Sequence, residues 1–367
     1  MSSKPTERLV LKIGSALIAP MQDGCRSANL LRVAQFIVDA RAQGKEVILV
    51  SSGAVAAGSH HFSNAKPQTV AVKKAMAAAG QTAMMSMWDR FFDFPCAQLL
   101  LTHADLRHRE RYTSIRQTLF TLLEQGILPI INENDAVTSD NLKVGDNDNL
   151  SAMVAAAAEA NTLVICTDVD GLFDKNPHTH ADANLIKEVY HIDSSIIASS
   201  EGPSSSVGTG GMSTKLEAAE KATSHGITTF IVNGFKDETF KALILGENPG
   251  TQLMPYEKPL QEPIHWLTHT AAAQGELIVQ PEAIEEVSEG GSGLRCDEIQ
   301  SVEGDFSAGE TILIKDEQGK PIAKAKSNYS SCLLNFITEH QEGLFTSQMQ
   351  DSIGPIISQQ DIAVLEK

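Results

Sequence analysis

The 367-residue chain reads as an α/β protein: an open, mostly parallel sheet with helices on both faces, followed by a small β-rich domain. Three observations predict this. The strand-like runs are continuously apolar rather than alternating, as strands buried on both faces are. They alternate with segments of helical period, the pattern of a sheet covered by helices. Around Pro249 to Pro263 the composition turns Pro-rich and polar, and the runs beyond it are short and separated by turns.

The elements follow in order. "RLVLKIG" from Arg8 to Gly14 is a buried strand ending in glycine. "ANLLRVAQFIVDARAQG" places apolar residues at helical spacing before a Gly stop at Gly44. "KEVILVSSG" from Lys45 to Gly53 is a second strand with a glycine turn. A helix over Thr69 to Phe92 leads to the strand "CAQLLLT" from Cys96. A helix from Arg111 to Gln125 precedes the strand "LPIIN" from Leu128. The Ala-rich helix "NLSAMVAAAAEA" starts near Asn149, and "TLVICTD" is a strand ending at Asp168. "STKLEAAEKATSHG" is a helix over Ser213 to Gly226, and "ITTFIVNG" is the strand after it. "NPGTQLMPYEKPLQEP" reads as a linker; beyond it "GELIVQ", "TILIKD" and "PIAKAKS" are short strands of a barrel-like domain.

Composition narrows the function. Hydrophobic residues make up 42% of the chain, enough for a packed core. No run approaches the ~18 apolar residues that span a bilayer. The start "MSSKPTERLVLKIG" has no apolar signal segment, and the five scattered cysteines have no metal-ligand spacing. A cytoplasmic protein with reduced thiols and no membrane contact is therefore expected. The net charge of −17 is concentrated: from Leu260 onward there are 18 acidic residues against 6 Lys or Arg. An acidic tail repels phosphate backbones, so nucleic-acid binding is not expected of it.

In parallel sheets ligands bind at the carboxyl ends of the strands, and the polar motifs lie there. Lys12 in "VLKIGS" must emerge at its strand end; it is either a snorkelling lysine or a phosphate ligand beside the permissive Gly14. "SSGAVAAG" from Ser51 repeats strand, small turn, helix start, and could hold an anion through its N–H groups and the Ser52 hydroxyl. "SSSVGTGGMSTK" is a Gly/Ser/Thr loop running into a helix at Lys215; its N–H groups suit a polyphosphate, although it matches neither the Walker nor the Rossmann pattern. "TDVDGLFDKNP" is not a calcium loop, because Gly171 stands fourth from Asp168 instead of sixth. His178 and His180 read as an exposed loop pair. Between Ile131 and Met153 stand five acidic residues and five asparagines, in two clusters at one sheet edge. Capping and turns account for only part of this. An amino acid carries an ammonium that suits Asp135 and a carboxylate that suits Asn147 and Ser52. Asp148 could hold the ammonium groups of Lys12 and Lys215 in place.

In order along the chain, "VLKIGSALI", "VSSGAVAAG", "INENDAV", "KVGDNDNLSA", "TDVDGL" and "GTGGMSTK" resemble the glutamate 5-kinases of the amino-acid kinase superfamily, over roughly residues 8 to 255. The resemblance implies an amino-acid kinase fold over residues 1–256, a linker over 257–274 and a PUA-like β domain over 275–367. It implies ATP as co-substrate with Mg²⁺, L-glutamate as acceptor, proline as feedback inhibitor, a homo-oligomer, and transfer of the labile product to glutamate-5-semialdehyde dehydrogenase. It makes Lys12, Lys215 and Asp148 the catalytic set, and Ser52, Gly53, Asp135 and Asn147 the glutamate-binding set. Thr167, Asp168, Thr209, Gly210, Gly211, Met212, Ser213, Thr214 and Lys215, with Lys12, become the ATP site. The tail resembles the family only loosely, in "GELIVQPEA", "IQSVEGDFSAGE" and "YSS".

Overall fold

A computed structural model describes residues 7–20, 24–62, 69–138, 147–177, 179–180, 182–199, 211–288, 293–339 and 354–365. The chain forms two compact units. The first holds residues up to Leu106 and from Glu110 to Pro259; the second holds the rest.

The first unit runs β1 Arg8–Ile13, α1 Ser15–Ile18, α2 Ser27–Ala42, β2 Glu46–Ser51, α3 Ala54–Gly58, α4 Val70–Asp89, β3 Cys96–Leu101, α5 His103–Arg107, α6 Arg109–Glu124 and β4 Leu128–Glu133. It continues α7 Asn147–Ala157, β5 Thr162–Thr167, β6 Glu188–Val189, α8 Ser194–Ser199, α9 Met212–Ser224, β7 Thr228–Asn233, α10 Asp237–Ile244 and β8 Thr251–Leu253. Eight strands lie in the order β3-β4-β2-β1-β5-β7-β8-β6. All pairs are parallel except β7 with β8. Register places Lys12 beside Val50 on one neighbour and Ile165 on the other.

Both faces of the central strands are covered. Leu9, Leu11 and Ile13 pack with Leu30, Val33 and Ile37 of α2 and Phe240 of α10. The intervening Val10 is equally buried, and α7 lies against β1, β2, β4 and β5. All eleven residues of α7 are buried, which its run of alanines permits. This helix begins at Asn147 instead of near Asn149, so Asn147 and Asp148 sit inside its first turn. A carboxylate there is favoured by the helix dipole.

Two glycines set how α3 meets α4. A Cβ on Gly58 would stand 2.0 Å from the Met76 carbonyl oxygen, and one on Gly80 would stand 2.0 Å from the Ala54 carbonyl oxygen. The helices therefore touch backbone to backbone. Gly80→Ala is expected to cost about 1–3 kcal/mol or more, since backbone must move rather than a flexible side chain. Chemical denaturation would measure it, and a midpoint equal to that of wild type would rule out the contact. Gly53, ahead of α3, has φ of +99°, and a Cβ there would meet the Ile18 Cβ at 2.8 Å. Only glycine fits that turn.

The segment 257–274, expected as a linker, carries α11 Glu262–His265 with proline in its first turn, then a π-helical turn over Trp266–Thr270 with Trp266 buried. Proline suits a first turn because the missing N–H has no partner there. The second unit continues β9 Gly275–Val279, α12 Pro281–Ser288, β10 Ile299–Gly304, β11 Thr311–Lys315, β12 Pro321–Lys326, α13 Ser331–Glu339 and β13 Ile362–Val364. Its five strands form one mixed sheet in the order β10-β9-β11-β12-β13. Among the described residues no helix of the chain is long and apolar enough to cross a membrane.

Candidate active site

The strand order lays out the site. At their carboxyl ends β4 delivers Asn132 to Asp135, β2 delivers Ser52 and Gly53, β1 delivers Lys12, β5 delivers Thr167 and Asp168, and β7 delivers Asn233. Lys12 therefore stands on the middle strand, with the two expected substrate groups on opposite sides of it.

Around Lys12 the structure closes a buried charge cluster. Lys12 Nζ lies 2.5 Å from Asp148 Oδ1, and Lys215 Nζ lies 3.2 Å from Asp148 Oδ2. The Thr214 hydroxyl donates to the same Oδ2 at 3.0 Å. Exposure is 6% for Lys12, 2% for Asp148 and 7% for Lys215. Burial alone would raise the Asp148 carboxyl, yet the two ammonium groups hold it well below the usual carboxylate range. Burial lowers the Lys215 ammonium, Asp148 opposes that, and Lys12 adds to it. Two cations on one anion leave the cluster with a net positive charge at neutral pH, away from water. Such a centre can receive phosphoryl oxygens.

On the β4 side the groups are buried and polar. Asn147 Oδ1 accepts the Glu133 backbone N–H at 3.1 Å, and its Nδ2 donates to Asn132 Oδ1 at 3.0 Å. The Thr138 hydroxyl donates to Glu133 Oε1 at 2.9 Å and ties down the turn that carries Asp135. Asp135 is 6% exposed, and its Oδ1 has no hydrogen-bond partner among the described residues. Burial pushes its pKa up to about 6. A buried carboxylate with a free oxygen is costly on its own and suits a cationic ligand. Ser52 is buried beside it in the sheet order, with its N–H on the Ile13 carbonyl at 3.1 Å.

On the β5 side the groups are more open. Thr167 is half-buried and donates to the exposed Asp168 at 3.1 Å. Asn233 Nδ2 donates to Asp170 Oδ1 at 2.9 Å, and Lys236 Nζ reaches the same oxygen at 2.6 Å. The Lys236 bond leads in holding the Asp170 carboxyl below its ordinary value. Met212, Ser213, Thr214 and Lys215 form the first turn of α9, which starts one residue before the expected Ser213, with Gly211 extended before it. Thr209, Gly210 and His178 lie outside the described residues, and His180 is exposed.

Sequence reasoning missed Gln81, Asp170, Asn233 and Lys236. Gln81 had one signal, a lone amide in the small-residue stretch "AMAAAGQTAMM". Among the described residues no group of three or more His, Cys, Asp or Glu side chains could hold a metal ion.

The sheet and this edge define a class, and comparison with known proteins agrees. The amino acid kinase family model matches residues 7–233, and a PUA domain model matches residues 275–341. "Glutamate 5-kinase 1" of Pseudoalteromonas translucida is 64% identical over 98% of each chain. "Glutamate 5-kinase" of Idiomarina loihiensis is 49% identical over 100% of each. That of Salinibacter ruber is 43% identical over 98% of this chain and 97% of its own. The chain belongs to the amino acid kinase family and, within it, to the glutamate 5-kinases.

Proposed function

We infer that the protein transfers the γ-phosphoryl group of ATP to the side-chain carboxylate of L-glutamate, giving L-glutamyl 5-phosphate, the first step of proline biosynthesis. The observation that carries this reading is the buried Lys12–Asp148–Lys215 cluster between an acidic, amide-lined side and an open side.

The reaction needs no general base, because a carboxylate is ionised and nucleophilic at pH 7. The obstacle is repulsion between two anions. On this reading Asp135 takes the glutamate ammonium, and Asn147, Ser52 and the Gly53 turn take its α-carboxylate. Thr167, Asp168 and the Gly211–Lys215 turn, with Thr209 and Gly210, hold ATP. Lys12 and Lys215 meet the transferring phosphoryl oxygens, and Asp148 keeps both ammonium groups aimed at them rather than at solvent. Asp148 is already engaged by two lysines, and no carboxylate cage is present among the described residues. Mg²⁺ would then be held mainly by phosphate oxygens and water, and would neutralise phosphate charge there. Hydroxylamine trapping tests the whole reading. Purified protein with ATP and L-glutamate should yield hydroxamate. Turnover of aspartate or N-acetylglutamate but not glutamate would overturn the substrate.

Acid should weaken glutamate binding first. With Asp135 titrating at about 6, its charge is lost below that pH. We expect kcat/KM for glutamate to fall about tenfold per pH unit there, with kcat falling less. Asp135→Asn should be slow at all pH values and lack that limb; a variant keeping the limb would assign it elsewhere. The stability linkage has the opposite sense. A carboxyl raised in the fold stabilises below its unfolded value, and this contribution is lost as pH rises through about 6. Bound glutamate should offset that loss.

We also propose, as the sequence resemblance implies, proline as an inhibitor at the glutamate pocket, a homo-oligomer, and hand-over to glutamate-5-semialdehyde dehydrogenase. If proline competes there, Asp135 and Asn147 variants that still bind glutamate should change proline sensitivity. Unaltered inhibition would place proline elsewhere.

A further inference from the structure

A chain of three buried amides holds Asn147, and it ends on a helix that the reading above leaves without a role. Asn147 Nδ2 donates to Asn132 Oδ1 at 3.0 Å, and Asn132 Nδ2 donates to Gln81 Oε1 at 2.8 Å. Exposure is 2%, 1% and 7% in turn. The polarity of the chain is fixed from one end. The Glu133 backbone N–H can only donate, so Asn147 must turn Oδ1 toward it at 3.1 Å. Its Nδ2 then faces Asn132, whose Nδ2 must face Gln81, and Gln81 must present oxygen. An asparagine Nδ2 has two hydrogens. One is spent on Asn132, which leaves the other for a ligand carboxylate.

Gln81 follows Gly80, the residue at which α4 meets the Ala54 carbonyl of α3. Since α3 begins directly after Ser52 and Gly53, Gln81 ties the Asn147 side of the pocket to the Ser52 side. Its Nε2 is buried with no partner among the described residues. An amide retained with an unpaired buried donor costs stability, so its acceptor oxygen is the part in use.

We propose that Gln81 is a positioning residue for the amino-acid pocket, which acts through Asn132 to lock the Asn147 amide toward the substrate's α-carboxylate. This rests on the glutamate reading of the site. Gln81→Met removes the acceptor at similar volume. It should raise KM for glutamate about tenfold while kcat and KM for ATP stay within about twofold. Gln81→Glu keeps an acceptor oxygen and should recover most of the loss. In an Asn147→Ala background Gln81→Met should add less than about twofold, because the two act in series. Should Gln81→Met not fold, Gln81→Asn, too short to reach Asn132, serves the same test. Equal factors in both backgrounds, or a fall of kcat and thermal midpoint together with a rise of both KM values, would overturn the proposal. A wild type that forms no hydroxamate from glutamate sinks the substrate reading itself. An active wild type with an unmoved KM in Gln81→Met sinks only this inference.

Discussion

Lys215→Met is expected to lower hydroxamate formation from glutamate by about 10²–10³-fold, the range for removing one preorganised donor to transition-state charge. The fold should survive it. Lys215 is one of two ammonium groups on a single carboxylate, and burial already lowers its affinity for a proton. Without it, Lys12 and Asp148 remain as a neutral pair, and the Thr214 hydroxyl still satisfies Asp148 Oδ2. Methionine fills much of the same volume, and replacing a buried charge by a packed apolar group is often neutral or stabilising. The thermal midpoint should therefore match or exceed that of wild type. If the loss appeared only as a higher KM for ATP with kcat intact, Lys215 would be a ground-state anchor rather than a group that acts in the transition state.

Much of this site was legible in the sequence, and the parts that were not share a cause. β1, β2, β4 and β5 announce themselves because strands buried on both faces are continuously apolar, and each hands its polar residues to the same edge. Lys12, Asp135, Asn147 and Asp148 stand out as groups that such an edge would not otherwise tolerate. The order of strands is not written locally. Nothing in "CAQLLLT" says that β3 pairs with β4, or that β1 falls between β2 and β5, which is what separates the two sides of the site. Helix starts shift for a related reason. Asn147 begins α7 earlier than propensity indicates, and tertiary burial of its whole first turn overrides a weak local preference. Gln81 showed only as a lone amide among small residues, because its role depends on Asn132, 51 residues away. A glutamine in a helix reveals no role until the partner arrives.

Asp148→Asn should do to the fold what Lys215→Met does not. It keeps the shape of the side chain but leaves two ammonium groups buried together with no anion between them. Removing one partner of a buried ion pair costs about 3–5 kcal/mol, and here both partners share the same loss. Denaturant midpoints should show it, together with a loss of activity at least as large as that for either lysine. The pH dependence gives an independent check. The Asp148 carboxyl lies well below its ordinary value in the fold, so its stabilisation is fully present above the unfolded value of about 3.9. It is lost as pH falls through the folded value. The gap between wild type and Asp148→Asn should thus be constant from neutral pH down to about 4 and close only in stronger acid. A gap that closed between pH 5 and 7 would assign the stabilisation to another group. A gap under about 1 kcal/mol would mean that the lysines reach water without their carboxylate. The cluster would then be held by its ligand rather than by the fold.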